Sequence, residues 1–529
     1  MPISVTQEPE TRISLALNDR VVDILSIFLL LAVAALILVI GNSSVPMQLW
    51  DESRNANNAL EMSRNGHWLV TYYRGLPDHW NTKPPLLIWV IALLLRLGLP
   101  PLLALRLPSI TAGFATVMGI FVFCRYRMQD RAAGLFAGLT LLTAPLFAGW
   151  HAARTGDYDS LVTLFTLTYA LAFWEYLEAR TREGTGWLTV AGVALMLSVL
   201  TKGVGGVLAL PALLLYAVLR RRLLKVVLDW RVWLVLCAVM LVCGGYYGLR
   251  EHFDPGYLEA VRNNEFTGRY LSVNEQHHGG PLFYVRVLAT RYEPGLLLLP
   301  FCVVPFFCPD RRRRSLILLC VLVSGFLLAV LSRSQTKLFW YIAPATPFMA
   351  LASGIGLSEG LRWLANRKDR LPALLHPRIA YAALTIVFCG AIAGSIYYYQ
   401  FGLQRKLSGL YMEGRYGPFL ELIRQRGLTN DLMIADEGTR TIVRDDTAGL
   451  FLHYSPEAQF YAELENSRGM RVHVITPGGG LLVGSWVATC DPRTHQWLNG
   501  HYDGKLVMQP NKWCALEHIA GAKRDYGGS

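Results

Sequence analysis

Charge is what this chain lacks. Of its 529 residues only 17% are charged, against 53% hydrophobic. An ordinary soluble domain carries about 25% charged residues. The shortfall excludes a soluble enzyme, a disordered chain, a coiled coil and a small secreted disulfide scaffold. Ile24 to Ile40 contains no charge at all, and similar runs recur along most of the chain. A membrane span needs roughly 20 apolar residues, with about 17 as the lower limit, so the chain reads as a polytopic membrane protein. Acid is scarcer than base: 38 Asp and Glu stand against 50 Lys and Arg, a net charge of +12. The basic clusters flank apolar runs, as the positive-inside rule requires, so the excess signals topology and not a nucleic-acid partner. The nine cysteines show no CxxC spacing, which argues against a zinc knuckle. Seven lie in or beside apolar runs and act as small hydrophobes. Cys490 and Cys514 lie in the polar C-terminal part and can pair if that part is extracytoplasmic. The first apolar run is too long for a signal-peptide core and is followed only by Gly41-Asn42-Ser43-Ser44, so it reads as a retained span.

Twelve apolar segments stand at about 24–41, 85–98, 102–124, 132–150, 160–177, 187–201, 203–219, 231–249, 282–307, 315–331, 337–358 and 379–399. Basic loops follow several of them: Arg125/Arg127/Arg131, Arg180/Arg182, Arg220-Arg221-Arg222 with Lys225, Arg311 to Arg314, and Arg362/Arg367/Lys368/Arg370. If all twelve segments cross, these loops cannot share a side with Arg12 and Arg20. Removing 85–98 restores one basic side. That segment is short, begins at Pro84-Pro85 and is interrupted by Arg96, so it is expected to lie along the outer leaflet. About eleven spans then place the N-terminus inside and the C-terminus outside. Residues 52–65 place Ala56, Ala59, Leu60 and Ser63 on one stripe with Gly66 as a stop, a second interfacial helix in the loop 42–101. The expected organisation is a transmembrane catalytic domain over 1–399 and a small extracytoplasmic α+β domain over 400–529, with strands at Val472–Ile475 and Leu481–Val483. No internal repeat is evident.

On this topology the unusual polar residues gather on the outer side: Asp51-Glu52, Lys83, Asp157 and Asp159, Lys202, Glu265 and Arg269, and Lys337 with Tyr341. Each has a plain structural reading. Asp51, Asp157 and Asp159 can cap the helices that follow them; the lysines can snorkel to the interface; His277-His278 reads as a surface pair. Together, carboxylates and cations ring one membrane face, which suits a reaction on a lipid with a charged head. A sugar leaving a polyprenyl phosphate needs cations for the departing phosphate, for which Lys83, Arg269 and Lys337 are suitable. The acceptor hydroxyl needs a general base, for which Asp51 leads.

The order Asp51-Glu52, Lys83-Pro84-Pro85, Ala153-Arg154-x4-Asp159, Thr201-Lys202-Gly203 and Lys337-Leu338-x2-Tyr341-x2-Pro344 resembles the GT-C glycosyltransferases. Within them it is similar to the branch of aminoarabinose lipid A transferases and bacterial protein mannosyltransferase-like enzymes. The motifs cover roughly residues 50–350; the last 130 or so match no family. The resemblance implies an inverting transfer from a polyprenyl-phosphate sugar, at the extracytoplasmic face of a bacterial cytoplasmic membrane. It gives Asp51 and Asp159 as catalytic carboxylates. Glu52, Lys83, Asp157, Lys202, Glu265, Arg269, Lys337 and Tyr341 are the substrate-binding set, of which Lys83, Arg269 and Tyr341 contact the lipid phosphate. Family members often carry an acid before Lys-Pro-Pro that assists a divalent metal. Here that position is Thr82, with Asp157 left to compensate, so a metal is not assigned.

The implied partners are a polyprenyl-phosphate sugar, membrane lipids and a glycolipid, glycan or protein acceptor; no nucleic acid is implied. A lipid-linked sugar flippase is the alternative from another class. Flippases tend to show repeats and ionisable groups at mid-membrane, whereas these charges sit in loops. An oligosaccharyltransferase or ligase is the alternative within enzymes, and the Lys-Pro-Pro and Lys-Leu-x2-Tyr motifs favour transfer of a monosaccharide.

Overall fold

The computed structural model describes residues 9–43, 45–47, 51–179, 181–271, 277–292, 295–307, 310–368, 372, 376–402, 416–436, 439–444, 451–476 and 481–523. They form two compact units. The first is Met1–Asn42, Lys83–Leu87 and Arg106–Gly402; the second is Ser43–Thr82, Ile88–Leu105 and Leu403–Ser529.

Among the described residues seven helices are long and apolar enough to cross a membrane: Asp19–Val39, Pro101–Arg127, Asp159–Glu178, Glu183–Val207, Trp230–Phe253, Arg311–Arg333 and Pro377–Phe401. An eighth is added if Phe283–Arg291 and Gly295–Val304, bent by 101°, count as one span. The sequence reading of eleven counts segments that the fold makes shorter. The segment at 132–150 is the helix Arg131–Leu142, broken at Thr143-Ala144-Pro145, and the segment at 203–219 keeps only Leu210–Leu219 as α-helix. The segment at 85–98 becomes the 11-residue helix Leu86–Arg96. At 1.5 Å per residue that is about 16 Å, half of a bilayer core of about 30 Å.

One end of the first unit is laced by ion pairs. Asp23 holds Arg125 at 2.8 Å and Arg131 at 2.6 Å. Glu175, 1% exposed, holds Arg127 at 2.6 Å and Arg312 at 2.7 Å. Asp130, equally buried, holds Arg362 at 2.8 Å and Arg313 at 3.2 Å. These pairs join the start of Asp19–Val39, the end of Pro101–Arg127, the end of Asp159–Glu178 and the start of Arg311–Arg333. The parity argument assigns those four ends to one side, and the ion pairs bring them there. The arginines therefore do more than anchor: without them the buried Glu175 and Asp130 would be isolated charges.

In the second unit the helix Asp51–Asn65 ends at Gly66, whose φ of 74° is a left-handed stop. Its polar face is not left to water. Asn58 Nδ2 donates to Asp78 at 2.9 Å, Asn81 Nδ2 donates to Asn58 at 2.7 Å, and Asn57 Nδ2 donates to the Pro456 carbonyl at 2.5 Å. Arg64 pairs with Glu463 at 2.9 Å. Both faces of the helix are thus covered over Glu52–Leu60. Periodicity shows the apolar stripe but not that amides on the other face find buried partners. Arg96, at the end of the short apolar helix, donates to the Ser63 carbonyl at 2.7 Å and lies 5.1 Å over the Trp68 ring.

The C-terminal part of this unit is a mixed five-stranded sheet. Its order is Arg471–Ile475, Asp431–Ala435, Trp486–Thr489, Ala515–Ala522, Tyr502–Met508; the first three strands run parallel and the last two pair antiparallel. Ala435, Leu481, Val487, Leu498 and Ile519 form its core. The strand expected at Val472–Ile475 is present as Arg471–Ile475, whereas 481–483 is not a strand. Leu481 enters the core, Leu482 and Val483 are exposed, and Gly484 turns the chain at φ 92° so that its N–H reaches Ile519 O at 2.8 Å.

Cys490 and Cys514 form a disulfide across 24 residues. Replacing both by serine should lower the stability of this part by about 3 kcal/mol, the chain-entropy value for a loop of this order. Thermal unfolding of the full-length protein with and without reductant measures it. A wild-type melt that reductant does not lower would count against the bond.

Candidate functional site

The first unit contains an apolar cavity of about 780 Å³, counting its open mouth. Its depth is walled by Val162, Leu208, Leu327 and Leu331, and its rim carries Asp159, Lys202, Glu265, Ser334, Thr336 and Tyr341. Four residues singled out from the sequence, far apart in the chain, therefore share one rim.

Helix ends deliver these groups. Asp159 is the first residue of Asp159–Glu178, at the end opposite Glu175, and Lys202 ends the helix Thr181–Lys202. The Lys202 ammonium reaches Asp159 at 2.5 Å and lies 5.1 Å from the Tyr341 ring centroid. Both partners of this pair are nearly buried, with side-chain exposures of 12% and 6%. Gly203 follows at φ 54°, and a side chain there would meet the Tyr247 hydroxyl at 2.7 Å. That is why Thr-Lys-Gly is needed: the backbone turns left-handed directly after the lysine, with no room for a Cβ.

Lys83 pairs with Glu265, both largely buried. Lys337 follows the rim residue Thr336 and is 8% exposed; its ammonium donates to the Ser334 carbonyl at 2.5 Å and its N–H to His277 O at 2.9 Å. Among the described residues no carboxylate pairs with Lys337. Lys83 and Lys202 are each balanced by an acid, whereas Lys337 is held by backbone carbonyls beside the lining residues Ser334 and Thr336. The Arg269 side chain lies outside the described residues.

Asp157 lies off the cavity wall. It accepts the Thr155 hydroxyl at 2.5 Å and stands 3.4 Å from His151 Nδ1, while its own carbonyl accepts the Ser109 hydroxyl at 3.0 Å. His151 stacks on Trp340 with ring centroids 3.6 Å apart, at φ 53°. Within this unit Asp157 and His151 supply two donors where a protein metal site takes three or four, so the unit by itself assigns no metal. His277 and His278 are exposed, as a surface pair should be.

Asp51 and Glu52 belong to the second unit, in the first turn of Asp51–Asn65. Asp51 is paired with Arg54, and Glu52 is fully buried. Sequence reasoning gave no role to Ser334, Thr336 or Tyr399. The first two are uncharged hydroxyls in a short loop, which carries no signal of its own; the last sits in a Tyr397-Tyr398-Tyr399 run that reads as an interfacial belt.

Helices long enough to span, a polar rim at one end of them and a sheet-bearing second unit define a polytopic membrane protein of the GT-C fold. The chain superposes on the crystal structure of ArnT from Cupriavidus metallidurans bound to undecaprenyl phosphate with a TM-score of 0.65, at 20% identity, covering 93% of this chain and 97% of that one. The Archaeoglobus fulgidus oligosaccharyltransferase in the apo form is more distant, with a TM-score of 0.50 at 11% identity, covering 95% of this chain and 75% of that one.

In sequence, residues 82–246 match the dolichyl-phosphate-mannose-protein mannosyltransferase family. The undecaprenyl phosphate-alpha-4-amino-4-deoxy-L-arabinose arabinosyl transferase of Pseudomonas savastanoi pv. phaseolicola is 27% identical over 340 residues, 64% of this chain and 62% of that protein. Its namesake in Pseudomonas aeruginosa (strain LESB58) is 28% identical over 341 residues, 64% of this chain and 60% of that protein. The match thus spans about three fifths of these relatives' own length.

Proposed function

We propose that the chain is an inverting glycosyltransferase. It moves a monosaccharide from a polyprenyl-phosphate donor to a cell-envelope acceptor, on the extracytoplasmic face of a bacterial cytoplasmic membrane. The observation that carries this reading is the apolar cavity lined by Asp159, Lys202, Glu265 and Tyr341, with the Lys337 ammonium on the carbonyl of the lining residue Ser334. The cavity suits a polyprenyl tail. The rim suits the phosphate, whose charge grows as the sugar departs and is stabilised by fixed cations. In the proposed step the acceptor oxygen attacks the anomeric carbon, the bond from that carbon to the phosphate oxygen breaks, and the acceptor proton passes to a carboxylate. Asp51 is assigned that role on the resemblance of its motif. Asp159, held by Lys202, is assigned the second acidic role, and Lys83, Lys202 and Lys337 the phosphate.

The disulfide supports an extracytoplasmic place for residues 400–529, because such bonds persist in oxidising compartments. The ion-paired end of the first unit, rich in arginine, is then cytoplasmic. The acceptor class remains lipid A, another envelope glycan or a protein. A flippase is the less favoured reading, because the charged rim stands at helix ends.

Native mass spectrometry of the detergent-purified protein with undecaprenyl phosphate or undecaprenol tests the site. The phosphate lipid should be retained at one per chain and preferred at least about tenfold, or about 1.4 kcal/mol. Lys337→Met should remove most of that preference. Equal retention of the two lipids by the wild type would refute the phosphate assignment.

A further inference from the structure

The second unit has a cavity of its own, of about 730 Å³ counting its open mouth. A volume of this order suits a small molecule. Glu61, Arg64 and Asn65 line it from the end of the helix Asp51–Asn65, His67 from just past that helix, Tyr72 from a short hairpin, and Glu463 from the helix Pro456–Asn466. The hairpin pairs Tyr72–Tyr73 with Leu76–Pro77. Its two-residue turn has positive φ at both Arg74 (54°) and Gly75 (77°), the primed geometry that matches the twist of the strands. The N–H groups of these two turn residues converge on the Glu61 carboxylate, at 2.6 and 3.1 Å.

That carboxylate is the unmatched charge of the cavity. Arg64 is committed to Glu463: its Nη1 donates to Oε2 at 2.9 Å and its Nη2 to the Glu463 carbonyl at 2.7 Å. Glu61 pairs with no cation among the described residues, and the two N–H groups leave a lone pair unused on each of its oxygens. Burial pushes its pKa above the usual carboxylate value; the two N–H groups oppose this, and the charges of Glu463 and Asp78 add to it. An acid so placed gains from a nearby cation. Around it stand groups with hydrogen bonds to spare. Asn65 accepts the His67 N–H through Oδ1 at 2.8 Å, which leaves its two amide hydrogens, and neither the His67 ring nitrogens nor the Tyr72 hydroxyl makes a hydrogen bond among the described residues. The His67 and Tyr72 rings stand 5.5 Å apart, tilted by 40°, and both line the cavity.

We propose that this cavity is a sugar-binding site, and that the sugar it takes carries a primary ammonium. The ammonium donates to the unused lone pairs of Glu61, beside ring faces that attract a cation. The sugar hydroxyls exchange hydrogen bonds with Asn65, His67 and Tyr72, which between them offer donors and acceptors. A neutral sugar would use the second set and leave the acid unmatched. A bare amine would use the acid and leave the amide, the imidazole and the phenol to water. A phosphate would meet Glu61 as a like charge. The cavity shares no lining residue with the rim of the first unit, and the proposal rests on no part of the transferase reading.

Saturation-transfer NMR titrations of the detergent-purified full-length protein with glucosamine, glucose and ethanolamine test the proposal. Glucosamine should bind at least about threefold tighter than glucose, which lacks the charge, and than ethanolamine, which lacks the ring, as a half-exposed ion pair allows. Glu61→Gln should bring glucosamine down to the level of glucose, while its amide oxygen still accepts from the hairpin turn. Tyr72→Phe removes a hydroxyl that makes no hydrogen bond in the protein, so it should leave the melting temperature unchanged and weaken glucosamine and glucose alike by several-fold. If Glu61→Gln fails to fold, Tyr72→Phe decides. The Lys202→Met/Asp159→Asn double variant, altered in the other cavity, should bind glucosamine as the wild type does. Glucosamine held no tighter than glucose would overturn the ammonium, and no tighter than ethanolamine would overturn the sugar. Unchanged glucosamine binding in Tyr72→Phe would overturn the site. So would its loss in the double variant, which would place the sugar in the first unit, or its displacement by an equal concentration of magnesium ions.

Discussion

Replacing Lys202 by methionine is expected to cut sugar transfer by roughly 10²–10³-fold, the usual cost of losing one preorganised group that stabilises developing negative charge. The same change strands Asp159 as a buried charge 5% exposed, and breaking such a pair typically costs about 3–5 kcal/mol of stability. A fall in activity alone would therefore not separate chemistry from folding. Lys202→Met combined with Asp159→Asn does separate them. The double variant removes both charges, so most of the thermal stability should return while transfer stays lost. Recovery of transfer along with stability would reduce the pair to a structural clamp between the helices Asp159–Glu178 and Thr181–Lys202.

Asp51→Asn carries the second large effect. A positioned general base contributes typically 10²–10⁴-fold, so transfer should fall by at least about two orders of magnitude. The fold should barely change. Asp51 keeps a side-chain exposure of 30%, and its partner Arg54 lies one helical turn away. An asparagine in its place still offers Arg54 an oxygen. Its position in the first turn also suits a residue that merely favours the positive helix terminus, an effect of about 0.3–1 kcal/mol. The two roles are told apart by comparing transfer rates and melting temperatures of Asp51→Asn and Asp51→Glu. A base predicts loss in the first with partial return in the second. A purely helix-starting residue predicts full activity in both, and that result would sink the assignment.

Much of the frame was legible in the sequence because it rests on charge, and charge is dear in a bilayer. Scarcity of charge marked the spans, and the position of the arginine loops marked one side. Asp23, Asp130 and Glu175 were not read as their partners. Nothing local in the chain says that acids as far away as Asp130 is from Arg362 will be packed against those arginines. The rim was legible for a different reason: Asp159, Lys202 and Glu265 are charged residues in loops between apolar runs, and Tyr341 belongs to the Lys337-Leu338-x2-Tyr341 motif. The Asn57, Asn58 and Asn81 contacts were not legible, since amides on the polar side of an amphipathic helix look the same whether water or protein meets them. Arg154 stood in view inside a motif, but only the structure shows that it is held by the Ile37 and Ile40 carbonyls. Leu481–Val483 misled because three apolar residues in a row imitate a strand, and the turn at Gly484 lies just beyond them.

The central claim is that the Lys202–Asp159 rim serves sugar transfer and not lipid transport. Mass spectrometry of envelope glycolipids, glycans and glycoproteins tests it most directly, in cells whose only copy of this chain is wild type or Lys202→Met/Asp159→Asn. The account predicts that one monosaccharide disappears from one acceptor class in the variant while its polyprenyl-phosphate form accumulates on the extracytoplasmic face. An unchanged set of sugars on every acceptor would contradict it. So would accumulation of the lipid-linked sugar on the cytoplasmic face alone, which is the mark of a lost flippase.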